Sequence, residues 1–80
     1  MSTNEQIRDV LAAHARLAVD PAQLDDNADL YAFGLESHSA VSVMLALEEK
    51  LDFEFPDDRL RRATFSSIAS LSRAIAEIRG

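Results

Sequence analysis

The sequence predicts an all-α domain, a four-helix bundle with a long first loop and a short third helix. Apolar residues recur at steps of three and four in separate stretches, and only 2 Gly and 2 Pro are present to interrupt regular elements. An apolar content of 48% is enough for one packed core. At 80 residues the chain reads as a single domain, residues 1–80, too small for a second core or a walled catalytic cavity beside the first.

The first helix opens on overlapping capping boxes, Ser2 with Glu5 and Thr3 with Gln6, whose side chains can satisfy the orphan N–H groups of a first turn. Ile7, Val10, Leu11, His14 and Leu17 follow on one stripe. The Asp20-Pro21 step is expected to end the helix, because proline disfavours the helical conformation in the residue before it. Residues 21 to about 36 form a long connection. Leu24, Leu30, Phe33 and Leu35 anchor it, so it is expected to pack across the bundle rather than hang free.

The second helix is expected from Ser37 to Leu51, with Val41, Met44, Leu45 and Leu47 inside and Ser39, Ser42, Glu49 and Lys50 outside. Ala40, Val43 and Leu51 widen its apolar face, as in a helix with several neighbours. After Phe53 and Phe55, Pro56 with Asp57 and Asp58 begins a short third helix through about Arg62, proline being well tolerated in a first turn. Thr64 or Ser66 can cap the last helix. There Ile68, Leu71, Ile75 and Ile78 mark the buried side, leaving Ser70, Arg73 and Glu77 in water.

The charge narrows the possible partners. A formal net charge of −6, from 14 acids against 8 Lys and Arg, repels a phosphate backbone and favours a basic protein surface over nucleic acid. Acids crowd the middle at Asp20, Asp25, Asp26, Asp29 and Glu36, whereas Arg59, Arg61 and Arg62 stand together later. With no cysteine, disulfides and thiolate metal sites are excluded. The polar start, Ser2 to Gln6, does not read as a signal peptide, and no run is long enough to span a bilayer. A cytoplasmic monomer without membrane association is expected.

Gly34-Leu35-Glu36-Ser37-His38 is the most informative stretch, because it sets a serine hydroxyl where a loop gives way to a long apolar helix. A phosphodiester on that hydroxyl would lie beside the unpaired N–H groups and positive end of the helix, which favour an anion. The plainer alternative makes Ser37 a helix cap.

The pattern resembles the acyl carrier protein family over nearly the whole chain, from Asn4 to Ile78. It is densest from Asp29-Leu30 through Gly34-Leu35-Glu36-Ser37 to Ala46-Leu47-Glu48-Glu49, with Phe55-Pro56-Asp57 in support. By that resemblance, Ser37 carries 4′-phosphopantetheine, added from coenzyme A by a phosphopantetheinyl transferase. The terminal thiol of the arm then holds an acyl or aminoacyl group as a thioester for a downstream acceptor enzyme.

The family most often has aspartate before the serine and leucine after it, where this chain has Glu36 and His38. Ser39 and Ser42 stand where many fatty-acid carriers have acids, so a different partner set is implied. The runs Ala40 to Glu49, Glu54-Phe55-Pro56-Asp57 and Leu60 to Phe65, with Ser67-Ile68, resemble small bacterial carriers loaded by amino acid:carrier protein ligases that look like truncated seryl-tRNA synthetases. That branch implies an aminoacyl cargo such as glycine or alanine, with fatty-acid or polyketide-type acyl transfer as the alternative. Partner recognition is expected at Glu36, His38, Ser39, Ser42, Arg59 and Arg62.

Two other readings compete. Asp25, Asn27, Asp29 and Glu36 fall at positions one, three, five and twelve of a calcium-binding EF-hand loop, but Leu30 occupies position six, where the turn requires glycine. A passive helical interaction module is the other. Enzymatic activity is not expected: His38 adjoins Ser37 but points about 100° away from it on a helix, and no G-x-S-x-G elbow is present. His14 is expected partly buried, His38 in packing or partner contact, and neither as a metal ligand.

Overall fold

In the computed structural model, which describes residues 2–80, the first helix begins where the sequence offers a cap. The Ser2 hydroxyl accepts the Glu5 N–H at 3.1 Å, and α1 runs Thr3–His14. It stops short of the Asp20-Pro21 step. Ala15 is already extended, and beyond it the Ala18 N–H donates to the Phe33 carbonyl at 2.8 Å. The residues after His14 thus bond to the long loop instead of continuing the helix, while Leu17 still packs on the core.

The second helix, α2, spans Ser37–Leu51 as expected, and a third, α3, spans Ile68–Arg79. No strand is present among the described residues. The cap of α3 is Ser67 rather than Thr64 or Ser66. Its hydroxyl accepts the Ser70 N–H while the Ser70 hydroxyl accepts the Ser67 N–H, both at 3.0 Å. Ser70 also donates to the Thr64 carbonyl at 2.8 Å, so this side chain serves the cap and is not the solvated residue the periodicity implied.

Where a short third helix was expected, two 3₁₀ turns stand instead, Asp57–Arg59 and Arg62–Phe65. The first buries no residue, so nothing holds it to a longer helix; Phe65 anchors the second. Phe65 stacks at a tilt on Phe55, with ring centres 5.5 Å apart, and Phe55 meets Phe53 edge-on at 4.8 Å. An ion pair between Arg59 and Glu77 ties the first turn to α3. It lowers the Glu77 carboxyl below its ordinary value, through the hydrogen bond first and the guanidinium charge second.

All three helices and the loop feed one core. Ile7, Leu11, Leu30, Val43, Leu47, Ile68, Leu71 and Ile75 are essentially inaccessible. Leu24 and Leu35 are buried with them and Phe33 packs at their edge, so the loop crosses the bundle as its apolar residues predicted. Its polar backbone is satisfied in two ways. The Leu30 N–H donates to the Ser66 carbonyl at 2.7 Å, and the Asp26 carbonyl accepts the Ala69 N–H at 2.9 Å. Arg8 of α1 adds a side-chain donor: its guanidinium donates to the carbonyls of Pro21 at 2.6 Å and Leu24 at 2.7 Å and pairs with the Asp26 carboxylate. Asn4 donates to the other oxygen of that carboxylate at 3.2 Å.

Four outcomes follow from these contacts. Arg8→Ala leaves two carbonyls without their charged donor and is expected to cost about 2 kcal/mol in urea unfolding. Asp26→Asn, at a carboxylate nearly half exposed, costs under about 1 kcal/mol. Gly34, at φ +110°, closes the 3₁₀ turn Leu30–Phe33; Gly34→Ala forces a side chain into that conformation and costs more than about 1 kcal/mol. Arg59→Gln removes the partner of Glu77. Because pairing depresses the Glu77 pKa, its contribution is present above the ordinary carboxyl range and lost as pH falls through the depressed value. Melting temperatures of variant and parent should therefore differ at pH 7 and converge in strong acid.

Candidate functional site

Ser37 is held at the base of α2 by the turn before it. The Asp29 carboxylate accepts the Tyr31 N–H at 3.0 Å and opens the 3₁₀ turn Leu30–Phe33; Gly34 closes it with a left-handed step that a side chain would resist. The Leu35 N–H returns to the Leu30 carbonyl at 3.0 Å, which sinks Leu35 into the core and leaves Glu36 and Ser37 outside. This sequence of turns fixes where α2 begins.

Glu36, not Ser37, is the N-cap residue, and its side chain makes no capping bond. Ser37 is the first helical residue and is exposed. The opening N–H groups of an α-helix have no acceptor within the helix, so the start of α2 offers bare donors and a positive dipole end beside the Ser37 hydroxyl. That setting fits a phosphodiester on Ser37. Glu36 lies alongside, its carboxylate 3.4 Å from Nδ1 of the exposed His38.

Further along, the core-facing side of α2 is rotated from the one expected: Val43, Leu47 and Leu51 are inside as expected, but Ser39 joins them and Val41 and Leu45 do not. The buried line is Ser39, Val43, Leu47 and Leu51, at steps of four. Ser39 is therefore inside, whereas Val41 and Leu45 are 52% and 55% exposed. The signal that could have found this is the last turn: a stripe through Leu47 and Leu51 avoids Glu48, Glu49 and Lys50, and extended back by fours it reaches Ser39. Ser42 is outside as expected, its hydroxyl donating to the His38 carbonyl at 3.3 Å.

Arg59 and Arg62 are both engaged within the chain. Arg59 pairs with Glu77, and the Arg62 guanidinium lies 3.7 Å from the centre of the Tyr31 ring, whose hydroxyl donates to the Arg62 carbonyl at 3.1 Å. Burial raises the Tyr31 pKa, with the Arg62 charge opposing and the Asp29 charge adding. His14 is exposed, not partly buried: of the last turn of α1, only Leu11 is turned into the core. His38 likewise takes no part in packing.

Apart from Asp26, which pairs with α1, the acidic loop turns its carboxylates to its own backbone. Asp25 accepts the Asn27 N–H at 3.1 Å, Asp29 caps the turn into Leu30, and Leu30 is fully buried. Among the described residues, no three acids or histidines gather as metal ligands would, and no helix is long and apolar enough to cross a membrane.

Comparison with known proteins adds the family. The pattern of the phosphopantetheine attachment site matches residues 5–75. An aminoacyl carrier protein of Agrobacterium fabrum is 42% identical over 72 residues, 90% of this chain and 87% of that one. The carrier protein from Agrobacterium tumefaciens, crystallised with an engineered Bradyrhizobium japonicum glycine:[carrier protein] ligase and ATP, superposes with a TM-score of 0.91 at 41% identity, over 95% of this chain and 99% of that one. A glycylated carrier protein in complex with the Bradyrhizobium japonicum ligase matches with a TM-score of 0.77 at 29% identity, over 90% and 96% of the two chains. A serine-initiated helix on an all-helical frame and a match over most of its length agree, and the chain belongs to the acyl carrier family of phosphopantetheine attachment domains, with aminoacyl carrier proteins among its relatives.

Proposed function

We propose that residues 1–80 form a single aminoacyl carrier domain that bears 4′-phosphopantetheine on Ser37. The observation that carries this reading is the exposed Ser37 hydroxyl at the uncapped start of α2, in a chain 42% identical to an aminoacyl carrier protein. When bound, the group supplies a thiol that holds the cargo as a thioester. The protein's own part is to hold the attachment point rigid and open. The first-turn N–H groups of α2 would hold the phosphodiester, and Gly34 with the buried Leu35 turns the loop inward before Ser37.

The loading enzyme in this reading is an amino acid:carrier protein ligase, and a phosphopantetheinyl transferase must act first. Likeness to carriers crystallised with glycine:[carrier protein] ligases supports glycine, or another small amino acid, as the cargo. Glu36 and His38 flank Ser37 and, with Ser42 exposed further along α2, form the recognition surface, while Arg59 and Arg62 offer a second, positive face already braced by Glu77 and Tyr31. The two 3₁₀ turns between 57 and 65 take the place of the short third helix of a four-helix carrier. The domain carries a reactive group for other enzymes and catalyses nothing itself. Absence of cysteine fits work in the reducing cytoplasm.

Incubation with coenzyme A, magnesium and a broad transferase is expected to add one phosphopantetheine group to the intact mass, and Ser37→Ala to abolish the gain. An unchanged parent mass would sink the proposal. Loading of the modified protein by a glycine-specific ligase separates the aminoacyl reading from the acyl one, which instead expects fatty or polyketide-type acyl groups to load and every amino acid to fail.

A further inference from the structure

A shallow groove of about 570 Å³ lies between α1 and α2. Its apolar part is Val10 and Ala13 from α1 with Leu45 and Ala46 from α2. Carboxylates of Asp9 and Glu49 stand on opposite helices, and Lys50, His14 and Ser42 complete the lining. Two acids against one lysine leave the groove net negative while His14 is neutral.

The groove is connected to Ser37 by the residues that the fold leaves unexplained. Four residues advance about 40° around an α-helix, so Ser37, Val41, Leu45 and Glu49 rise along α2 as one gently winding line. Val41 and Leu45, the middle of that line, are more than half exposed although the core has a full set of apolar partners on the opposite side. A lone exposed leucine means little, but two in register with an attachment serine and running into a groove make an apolar track. From Ser37 to Val43, α2 carries no carboxylate or ammonium side chain, so the track is neutral within an acidic protein.

Length agrees. The pantetheine arm has about 14 chain atoms from the serine oxygen to sulfur, which at the ~3.5 Å per three atoms of an extended chain reaches roughly 16 Å. Along α2, at about 1.5 Å per residue, Ser42 lies roughly 7.5 Å and Glu49 roughly 18 Å beyond Ser37. The sulfur end and its cargo therefore come level with Ala46 to Glu49.

We propose that the arm on Ser37 lies over Val41 and Leu45 and seats its aminoacyl end in the α1–α2 groove, with the cargo's ammonium between Asp9 and Glu49. The inference rests on the reading of Ser37 as the attachment site. It assigns these two acids to the cargo and not to an enzyme: they distinguish an aminoacyl group from an acyl group of the same size, which lacks the positive charge.

The test compares amide spectra and nuclear Overhauser contacts of the Ser37-modified protein with the arm free, acetylated and glycylated, using amide-linked cargo to prevent hydrolysis. The glycyl form is expected to show contacts from its methylene to Ala13 and Ala46 and to shift the amides of Asp9 and Glu49. The Asp9→Asn, Glu49→Gln double variant, altered only at exposed positions, should lose them. Shifts confined to residues 35–40, or groove contacts equally strong with the acetyl arm, would overturn the proposal while leaving Ser37 as attachment site. A protein whose mass does not rise in the modification step removes both readings together.

Discussion

Arg8 is the residue on which the arrangement of this domain turns. Three helices of 12, 15 and 12 residues cannot enclose a core by themselves, and the chain between α1 and α2 must close one side of it. A loop laid across a core carries backbone carbonyls that need donors. One guanidinium on α1 serves the carbonyls of Pro21 and Leu24 and the carboxylate of Asp26, using the planar fork that distinguishes arginine from lysine. The pair with Asp26 is partly wet and contributes less than the carbonyl contacts, which are local, directional and made by a side chain only one-fifth exposed.

Once the loop is tied at 21–26, its second half has little freedom. Leu30 drops into the core and is held from the far side by Ser66, so α3's cap and the loop share one hydrogen-bonded seam. Tyr31 extends that seam to Arg62 through its ring and its hydroxyl. Gly34 then reverses the chain, and Leu35 pins the last loop residue before the helix. Ser37 inherits its position from contacts made by all three helices. The proposed attachment role needs this: an arm swings, but its base has to present the same surface to each enzyme.

How far this was legible in the residues depended on the kind of constraint involved. The bounds of α2, the crossing loop and its anchors Leu24, Leu30 and Leu35, and the buried line of α3 were readable, since each rests on apolar spacing. The serine at the start of α2 was readable from its neighbours. The end of α1 was not, because Ala15 to Val19 could continue a helix and are turned aside by a hydrogen bond to Phe33, distant in sequence. Nor was the orientation of α2: its serines are small enough to lie on either side, as Ser39 and Ser42 do, and the charged residues that select a face, Glu48 to Lys50, stand only at its end. Arg8 carries no local signature, as its partners are main-chain carbonyls that any residue supplies. Arg59 and Arg62 showed in the sequence only as clustered positive charge, and their partners Glu77 and Tyr31, distant along the chain, carry no local signal.

The rotation of α2 that buries Ser39 and exposes Val41 and Leu45 bears most on function. Had Val41 and Leu45 packed inside, the visible side of the helix would be the serines, and recognition would rest on hydrogen bonds near Ser37. With Ser39 turned in, the surface leading away from Ser37 is apolar and uncharged, while the acids lie in the loop and at the far end of the helix. A partner that met α2 through a basic patch would find few charges there, which separates this carrier from those whose second helix is acidic. The surface instead favours close apolar contact over long-range steering, and contact of that kind is weakly sensitive to salt. Placed between a bare helix start and a mildly acidic groove, such a strip suits an arm whose middle is neutral, whose base is anionic and whose cargo is cationic.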